Sequence, residues 1–291
     1  MFGFLNIYKP KGLTSFDVVR SLRKVLKIKQ IGHTGTLDPL AEGVLPVCIG
    51  KCTKLIDYLQ EDKGYIADLK FGWISDTYDT EGELQKFSDE KITKNSLTEI
   101  LSKFSGEIEQ TPPIYSAIKL NGKKLYEYAR SGKTTQDIEI PKRKVYISKI
   151  ELLEFDENNQ TAKIKVECSK GTYIRSIVHD IGEQSRIGAV MTNLVRTKSG
   201  MFTLETTVKL DEITDSTSAE KSLINPLNAL PYKKIELNKT QYDKIITGQK
   251  IDANNEIDGE ILLLTHNSAF VSIAKVVENK IKVIKVFVWK K

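Results

Sequence analysis

The stretch from residue 32 to residue 50 constrains the fold of this 291-residue chain more than any other segment. It reads GHTGTLDPLAEGVLPVCIG, and its four glycines and two prolines predict a folded-back loop over much of its length. Asp38 stands directly before Pro39, which favours an extended backbone at the preceding residue. We therefore expect a carboxylate on a stiff loop. Its expected apolar walls are Leu37, Leu40, Val44 and Leu45.

An ordinary turn and a phosphate-binding loop are two other interpretations of this stretch. An Asp-Pro pair after a glycine-rich segment is also typical of an ordinary turn, and the local pattern leaves that alternative open. A Walker-type phosphate loop is excluded, because Leu45 stands where its first glycine belongs and Cys52 where its Ser or Thr belongs. A carboxylate between apolar walls needs a cation or a donor, so we expect another segment to supply one.

Local patterns predict the elements around this stretch. Period-two alternation places Tyr65 on a buried strand face, and an Asn121-Gly122 pair predicts a hairpin. The predicted strands cover residues 4–7, 63–73, 144–153 and 161–168. The predicted helices cover residues 16–28 with Ser15 as N-cap, 51–59, a segment after a capping box at Ser96, 123–130 and 176–186.

One basic and aromatic segment follows the predicted hairpin. It suits RNA through phosphate contacts and stacking, although amphipathic packing would explain its tyrosines equally well. Its members are Lys119, Lys123, Lys124, Arg130, Tyr115, Tyr126 and Tyr128. The net charge of +6 fits a polyanionic partner better than an acidic balance would.

Four segments of the chain resemble the TruB family, the bacterial tRNA pseudouridine-55 synthases. GHTGTLDPLAEG, at residues 32–43, resembles that family's catalytic-loop signature. The others resemble further family segments in the family's order: KPKG at 9–12 followed by Thr14-Ser15, SDTYDTEG at 75–82, and CSKGTYIR at 168–175. Together they cover roughly residues 4–210.

The resemblance implies an α+β fold in two domains. Residues 1–231 would form a pseudouridine-synthase catalytic domain, with a central, mainly antiparallel mixed β-sheet flanked by helices. Residues 232–291 would form a small β-rich, PUA-like RNA-binding domain after a linker at 225–232. Strand alternation at about residues 260–265, 269–275 and 281–289 carries this weaker part of the likeness.

The reaction implied by the resemblance is the isomerisation of uridine-55 in the tRNA T-loop to pseudouridine. Asp38 would be the essential acid, which either attacks C1′ or removes a proton from C2′. Arg175 would keep Asp38 ionised and oriented through a bidentate fork. Tyr65 would stack on the uracil and receive or relay the C5 proton.

Further site residues follow from the same resemblance. Tyr173 and Leu194 would line the base pocket, and His33 would fill the space left by the flipped nucleotide. Asp79 matches an acidic position near the site, and Lys9 would contact RNA or brace the catalytic loop. By position alone, Tyr65 reads as a core tyrosine, Arg175 as a surface arginine and His33 as a hydrogen-bonded structural residue.

Composition excludes several classes of protein. The three cysteines predict no disulfide framework, and the cysteines and three histidines do not have metal-site spacing. We therefore expect no metal and no cofactor. The sequence has neither a signal-peptide pattern nor a membrane-spanning apolar run, so we expect a cytoplasmic protein without membrane contact. Nothing demands an oligomer or a protein partner, so we expect a monomer that binds the T-arm of tRNA.

Two alternatives to this enzyme stay open. A non-catalytic tRNA-binding or tRNA-folding protein would leave Asp38 dispensable. A related synthase could act on another RNA, as family members in guide-RNA complexes do; those carry extensions that this compact chain lacks.

Overall fold

The computed structural model describes residues 1–134 and 137–288. Within those ranges it has a large mixed sheet of ten strands flanked by helices, and a second sheet of five strands towards the C-terminus. The predicted α+β class, its mainly antiparallel mixed sheet and its β-rich C-terminal region are confirmed. Residues 289–291, which end the predicted C-terminal domain and its last strand, lie outside the described residues.

The strands alternate with short connections along most of the chain. In order they are β1 (Gly3–Lys9), β2 (Ile31–His33), β3 (Ala41–Ile49), β4 (Lys63–Phe71), β5 (Trp73–Ile74), β6 (Gln85–Lys86), β7 (Gly106–Gln110), β8 (Lys119–Leu120), β9 (Lys123–Lys124), β10 (Arg143–Asp156), β11 (Thr161–Cys168), β12 (Ala189–Ser199), β13 (Phe202–Thr203), β14 (Val208–Lys209), β15 (Lys233–Glu236), β16 (Ile251–Asp252), β17 (Ile261–His266), β18 (Ala269–Val277) and β19 (Lys280–Val286).

The helices are mostly short. The α-helices are α1 (Ser15–Leu26), α2 (Lys94–Ser102), α3 (Leu125–Arg130), α4 (Ile174–Ser185), α5 (Ser216–Lys221), α6 (Pro226–Ala229) and α7 (Lys239–Ile246). Three 3₁₀ helices cover Gly50–Tyr58, Leu204–Thr206 and Leu210–Glu212 in the part of the chain that the structure describes. The helix predicted over residues 51–59 is thus a 3₁₀ helix.

The order of the large sheet brings distant segments together at its centre. That order is β14-β1-β3-β12-β4-β11-β10-β7, with β2 on β3 and β13 on β12. Strand β12 runs between β3 and β4, so Arg196 faces Gly43 on one side and Tyr65 on the other. A side chain at Gly43 is excluded, because its φ is +102° and a Cβ would lie 2.4 Å from the Arg196 carbonyl oxygen.

The loop predicted over much of residues 32–50 is shorter than expected. Only residues 34–40 lack regular structure, and β3 occupies Ala41–Ile49. Leu45 packs into one core cluster and Val44 into another, because successive strand residues point to opposite faces. A strand buried on both faces usually has a nearly continuous apolar sequence. The glycines and prolines interrupt that sequence here, so the segment was predicted as a loop.

The two faces of the large sheet carry different cores. The first cluster joins the sheet to α1, α2 and α4, with Leu22, Leu97 and Ile177 fully buried. The second cluster joins Phe4 and Phe202 to the C-terminal sheet. The C-terminal residues in that cluster are Leu263, Phe270, Ile273 and Phe287. The small sheet therefore packs on the back of the strands that carry the loop at residues 34–40.

Two predicted helix caps are wrong. Thr14, not Ser15, caps α1: its side chain accepts a hydrogen bond from the Asp17 N–H, and the Asp17 carboxylate accepts one from the Thr14 N–H. Thr93, not Ser96, caps α2. In both cases a nearby hydroxyl residue competes for the same role, and local sequence cannot rank the two.

Several predicted elements are confirmed. The Asn121-Gly122 pair turns between β8 and β9 with positive φ at both residues. Tyr65 is buried on β4, and α4 covers nearly the predicted helix. Residues 225–232, predicted as a linker, include the short helix α6, and α7 was not predicted at all. The division of domains at residues 231 and 232 stays a prediction.

Candidate active site

The loop at residues 34–40 is fixed at its middle by Ser15. The Ser15 hydroxyl donates to the Leu37 carbonyl at 3.0 Å, and the Leu37 N–H donates to the hydroxyl at 2.8 Å. Both groups are buried, so this reciprocal pair holds the backbone next to Asp38 without help from regular structure. The residue predicted as a helix cap is instead the anchor of the loop.

Asp38 and Arg175 form an ion pair. Arg175 Nη2 lies 2.9 Å from Asp38 Oδ2, and the two residues are 137 positions apart in sequence, 175 against 38. The arginine side chain is 6% exposed and the aspartate side chain 35% exposed, so the buried cation presents a carboxylate that a ligand can still reach. The structure therefore brings together the predicted acid and cation. The contact is a single one through Nη2 rather than the predicted bidentate fork, because Nη1 donates to the Thr77 carbonyl and Nε faces Asp79.

Arg175 is held by more than Asp38. Nη1 donates to the Thr77 carbonyl and Nη2 to the Tyr115 carbonyl, both at 3.1 Å. Nε lies 3.6 Å from Asp79 Oδ2, and the Asp79 side chain is 1% exposed. Burial raises the pKa of Asp79, although its hydrogen bond from Thr77 and the nearby guanidinium oppose that shift. Asp79 thus lies behind the arginine, away from the cavity.

Tyr65 stands on β4 beside the loop. It is 8% exposed and contributes to the first core, as a plain core tyrosine would, but it also lines the central cavity. Burial raises the pKa of its phenol above the ordinary value, while the Arg196 guanidinium beside it opposes the shift. The phenol therefore stays protonated at neutral pH.

Arg196 is a second buried arginine that contacts the loop. It is 1% exposed, and its guanidinium donates to the carbonyls of Val44, Thr36 and Gly35 at 2.7, 3.3 and 3.1 Å. Burial lowers the pKa of Arg196, and the nearby Tyr65 opposes that shift. The family resemblance predicts a substrate contact for residues 191–199, which include Arg196. Its hold on the loop was not predicted, because its carbonyl partners lie 152 to 161 residues away in the sequence.

Lys9 braces the loop through backbone carbonyls. Its side chain is fully buried, and its ammonium donates to the carbonyls of Pro10, Leu13 and Pro39. Burial lowers the pKa of Lys9 to about 8, although Asp38 opposes the shift. Of the two roles considered for this residue, these contacts support bracing rather than contact with RNA.

A cavity of about 610 Å³ opens above Asp38. Tyr173 and Leu194, both predicted for a base pocket, line it together with Asp38, Tyr65 and Arg175. A volume in this range matches pockets that take small ligands. Further lining comes from the loop, the 3₁₀ helix and the hairpin region: Thr34, Gly35, Thr36, Leu37, Ile56, Asp57, Tyr115, Ser116, Tyr126 and Lys170.

Three predicted site residues lie outside the cavity lining: Lys9, whose contacts are given above, His33 and Asp79. His33 ends β2, one residue before the loop, and burial lowers the pKa of its imidazole so that it is neutral at neutral pH. Its Nδ1 has no hydrogen-bond partner among the described residues. Asp79 lies behind Arg175, as its burial and contacts require.

Basic and aromatic groups surround the mouth of the cavity. Lys124 and Arg130 both approach the Tyr126 ring, each at 5.3 Å from its centroid. Lys63 donates to the Ser199 hydroxyl at 2.9 Å, and burial lowers its pKa to about 8. The segment predicted to suit RNA therefore reaches the candidate site through Tyr126.

The described residues give no sign of a metal site or a membrane span. No group of three or more His, Cys, Asp or Glu side chains among them is placed to hold a metal ion. None of the helices in the described ranges has the length and apolar character needed to cross a membrane. The three cysteines are free and buried.

Two family models match the chain. Residues 23–174 match the model described as TruB family pseudouridylate synthase (N terminal domain). Residues 175–230 match the one described as tRNA pseudouridylate synthase B C-terminal domain.

Curated relatives are similar over most of the chain. The protein named tRNA pseudouridine synthase B of Clostridium acetobutylicum is 45% identical over 260 residues, which are 89% of this chain and 88% of that one. Its namesake in Clostridium tetani is 40% identical over 295 residues, 99% of this chain and 100% of that one.

Solved structures share the fold. The chain superposes on a protein chain of a Cbf5-Nop10-Gar1 complex with a TM-score of 0.75 and 25% identity, over 99% of this chain and 85% of that one. It also superposes on a chain of an H/ACA RNP bound to a substrate RNA containing 2′-deoxyuridine, with a TM-score of 0.73 and 24% identity, over 99% and 86%.

Proposed function

Because the chain belongs to the TruB family of pseudouridylate synthases, we propose that it converts uridine-55 in the T-loop of tRNA to pseudouridine, with Asp38 as the essential acid. Relatives named tRNA pseudouridine synthase B support tRNA as the substrate. One observation carries the assignment of Asp38: a partly exposed carboxylate lies 2.9 Å from a buried guanidinium at the wall of the central cavity.

The proposed reaction moves one glycosidic bond and needs no second substrate. The bond from C1′ of the ribose to N1 of uracil breaks, the uracil turns, and C5 forms a new bond to C1′. C5 then gives up its proton, and N1 takes one up, so atoms and electrons balance within an isomerisation.

Asp38 acts in its ionised form. As a nucleophile its carboxylate attacks C1′; as a base it removes the proton at C2′ to give a glycal. Both routes need a negative charge that is oriented towards the sugar. Arg175 supports that state, because its buried guanidinium forms an ion pair with the carboxylate at 2.9 Å while two backbone carbonyls fix the guanidinium itself.

Tyr65 contributes a ring face and a hydroxyl. Its ring stacks on the uracil while Tyr173 and Leu194 enclose the base in the same cavity. Since burial raises the pKa of its phenol, Tyr65 acts as a neutral relay for the C5 proton rather than as a phenolate base.

The nucleotide reaches Asp38 by flipping out of the T-loop. A base within a stacked loop cannot reach a carboxylate at the wall of a cavity, so extrusion must precede the chemistry. His33 lies next to the catalytic loop with a neutral imidazole, in a position to fill part of the space that the nucleotide leaves. Lys124, Arg130 and Tyr126 contact the T-arm backbone and bases at the cavity mouth.

The test uses an unmodified tRNA transcript and chemical mapping of pseudouridine. The wild-type chain should modify position 55 without any added cofactor. Asp38→Asn should lose activity by at least about 10³-fold and still bind tRNA, because it removes the charge but keeps the shape. Asp57→Asn is the matched control: Asp57 is an exposed acid at the same cavity and should be replaceable with a loss below about threefold.

Each alternative predicts a different result. Activity that survives in Asp38→Asn would refute the chemistry assigned here. A wild-type chain that binds tRNA but modifies no uridine would favour a tRNA-binding or tRNA-folding protein. Modification at another position, or of another RNA, would favour a related synthase.

A further inference from the structure

Gln110 makes a two-bond contact with the backbone of Tyr173. Its Oε1 accepts from the Tyr173 N–H at 2.8 Å, and its Nε2 donates to the Tyr173 carbonyl at 3.0 Å. Gln110 ends β7 and is 1% exposed, so water does not compete for these bonds. A neutral carboxamide is suited to this task, because it offers one donor and one acceptor side by side.

The residue that Gln110 holds is the first one before α4. Tyr173 occupies the N-cap position of that helix, and its own side chain makes no cap hydrogen bond. Arg175 is the second residue of α4, so the backbone at Tyr173 sets where the helix begins and where the guanidinium stands. The same backbone sets the position of the Tyr173 ring in the cavity wall.

Other contacts join the segment after β7 to the same helix start. Ser176 donates to the Thr111 carbonyl at 2.8 Å, and Arg175 donates to the Tyr115 carbonyl at 3.1 Å. Those two bonds use side chains of α4, whereas the bonds to Tyr173 come from Gln110 itself. Loss of the carboxamide would therefore leave the Tyr173 backbone unheld on this side and free to shift relative to Asp38.

We propose that Gln110 is a positioning residue for the proposed pseudouridine synthase reaction: its carboxamide fixes Tyr173 against the uracil and Arg175 against Asp38. It does not touch the reacting atoms. The inference rests on the proposed function. It adds Gln110, which lies 63 positions from Tyr173 in the sequence, to the residues that the reaction needs. A displacement of about 1 Å in a catalytic group can cost on the order of 100-fold in rate, so a contact of this kind can control turnover.

The chain contains its own control for this contact. Gln160 holds the backbone of Ile92 in the same way: its Oε1 accepts from the Ile92 N–H at 2.8 Å, and its Nε2 donates to the Ile92 carbonyl at 3.2 Å. Ile92 directly precedes Thr93, the N-cap of α2. Both glutamines are buried and both hold the backbone at a helix start, but neither Gln160 nor Ile92 lines the cavity.

The experiment compares Gln110→Met with Gln160→Met in the full-length chain. Both changes keep the length of the side chain and remove its hydrogen bonds. Gln160→Met also loses the bond from Nε2 to the Glu157 carbonyl at 2.8 Å, so it should lower the melting temperature at least as much as Gln110→Met. In single-turnover assays on tRNA transcript, Gln110→Met should lower the rate about 10- to 100-fold with a tRNA Kd within about threefold of wild type. Gln160→Met should keep the wild-type rate within about twofold.

Three results would overturn the inference. One is a folded Gln110→Met with the wild-type rate; another is an equal rate loss in Gln160→Met; the third is a loss in tRNA affinity that accounts for the whole effect. If Gln110→Met does not fold, Gln110→Glu replaces it, since its carboxylate keeps the acceptor for the Tyr173 N–H and loses the donor. A folded Gln110→Glu with the wild-type rate would also overturn the inference.

The wild-type chain in the same assay separates this inference from the proposed function. An inactive wild type refutes the proposed function. An active wild type with an equally active Gln110→Met refutes only the role of Gln110.

Discussion

Arg175 and Arg196 are both buried near Asp38. The partners of Arg175 include negatively charged carboxylates, whereas the partners of Arg196 are neutral. Arg175 meets Asp38 and Asp79 as well as two backbone carbonyls. Arg196 donates to backbone carbonyls, from Gly35, Thr36 and Val44, and lies beside the neutral Tyr65 phenol. The first arginine contacts the acid itself, and the second holds the loop that carries the acid.

The comparison shows two ways in which a buried cation can be used. Arg175 is compensated by carboxylates, so its removal leaves buried negative charge without a partner. Arg196 donates to the loop carbonyls of Gly35 and Thr36, Lys9 donates to that of Pro39, and burial lowers the pKa of both cations. Removal of either should therefore loosen the loop, whereas removal of Arg175 should disable the acid.

The largest effect should come from Arg175→Ala. We expect its single-turnover rate to fall about 10³-fold, because Asp38 loses its oriented counter-charge, while the tRNA Kd changes less than about fivefold. Arg175→Lys should recover only part of the rate, since an ammonium cannot reproduce the simultaneous guanidinium contacts to Asp38 and to the two backbone carbonyls. Equal losses in rate and affinity would show that Arg175 is a phosphate contact rather than the counter-charge of Asp38.

A smaller effect on rate should come from Arg196→Met. Three carbonyls lose their donor, so we expect the free energy of unfolding to fall by about 2–4 kcal/mol and the rate by about 10- to 100-fold. Chemical denaturation and single-turnover assays measure the two quantities. If this variant loses more activity than Arg175→Ala and keeps its stability, Arg196 does not act mainly by holding the loop, and the roles assigned to the two arginines are wrong.

The smallest effect should appear in the pH dependence contributed by Lys9. Its folded pKa of about 8 lies below the unfolded value of 10.5, so the unfolded chain binds more protons between those values. The free energy of unfolding of the wild type relative to Lys9→Met should therefore rise, by about 1–2 kcal/mol, from pH 7.5 to pH 10. Urea denaturation of both proteins at each pH measures it. A difference that stays flat or falls would mean that burial does not disfavour the charged form of Lys9.

Local sequence patterns predicted most of the strands and helices, but not the helix caps or the full extent of β3. The hairpin at Asn121-Gly122 and the buried face of β4 were predicted, because the turn type and the period-two alternation each depend on only a few neighbouring residues. The helix caps at Thr14 and Thr93 were missed, because neighbouring hydroxyl residues satisfy the same local rule. The strand β3 was missed because Gly43 and Pro46 interrupt the apolar run of a strand that is buried on both faces.

The reactive groups of this protein can be identified from its sequence alone: an acid before a proline in a glycine-rich loop, and motifs whose order identifies the family and predicts the pairing of Asp38 with Arg175. Tertiary structure alone decided that Ser15, Gln110 and Arg196 hold those groups in place. The physical reason is that a buried polar group must find its hydrogen-bond partners wherever the folded chain brings them. Here those partners lie 22 to 161 residues away, beyond the reach of any local pattern.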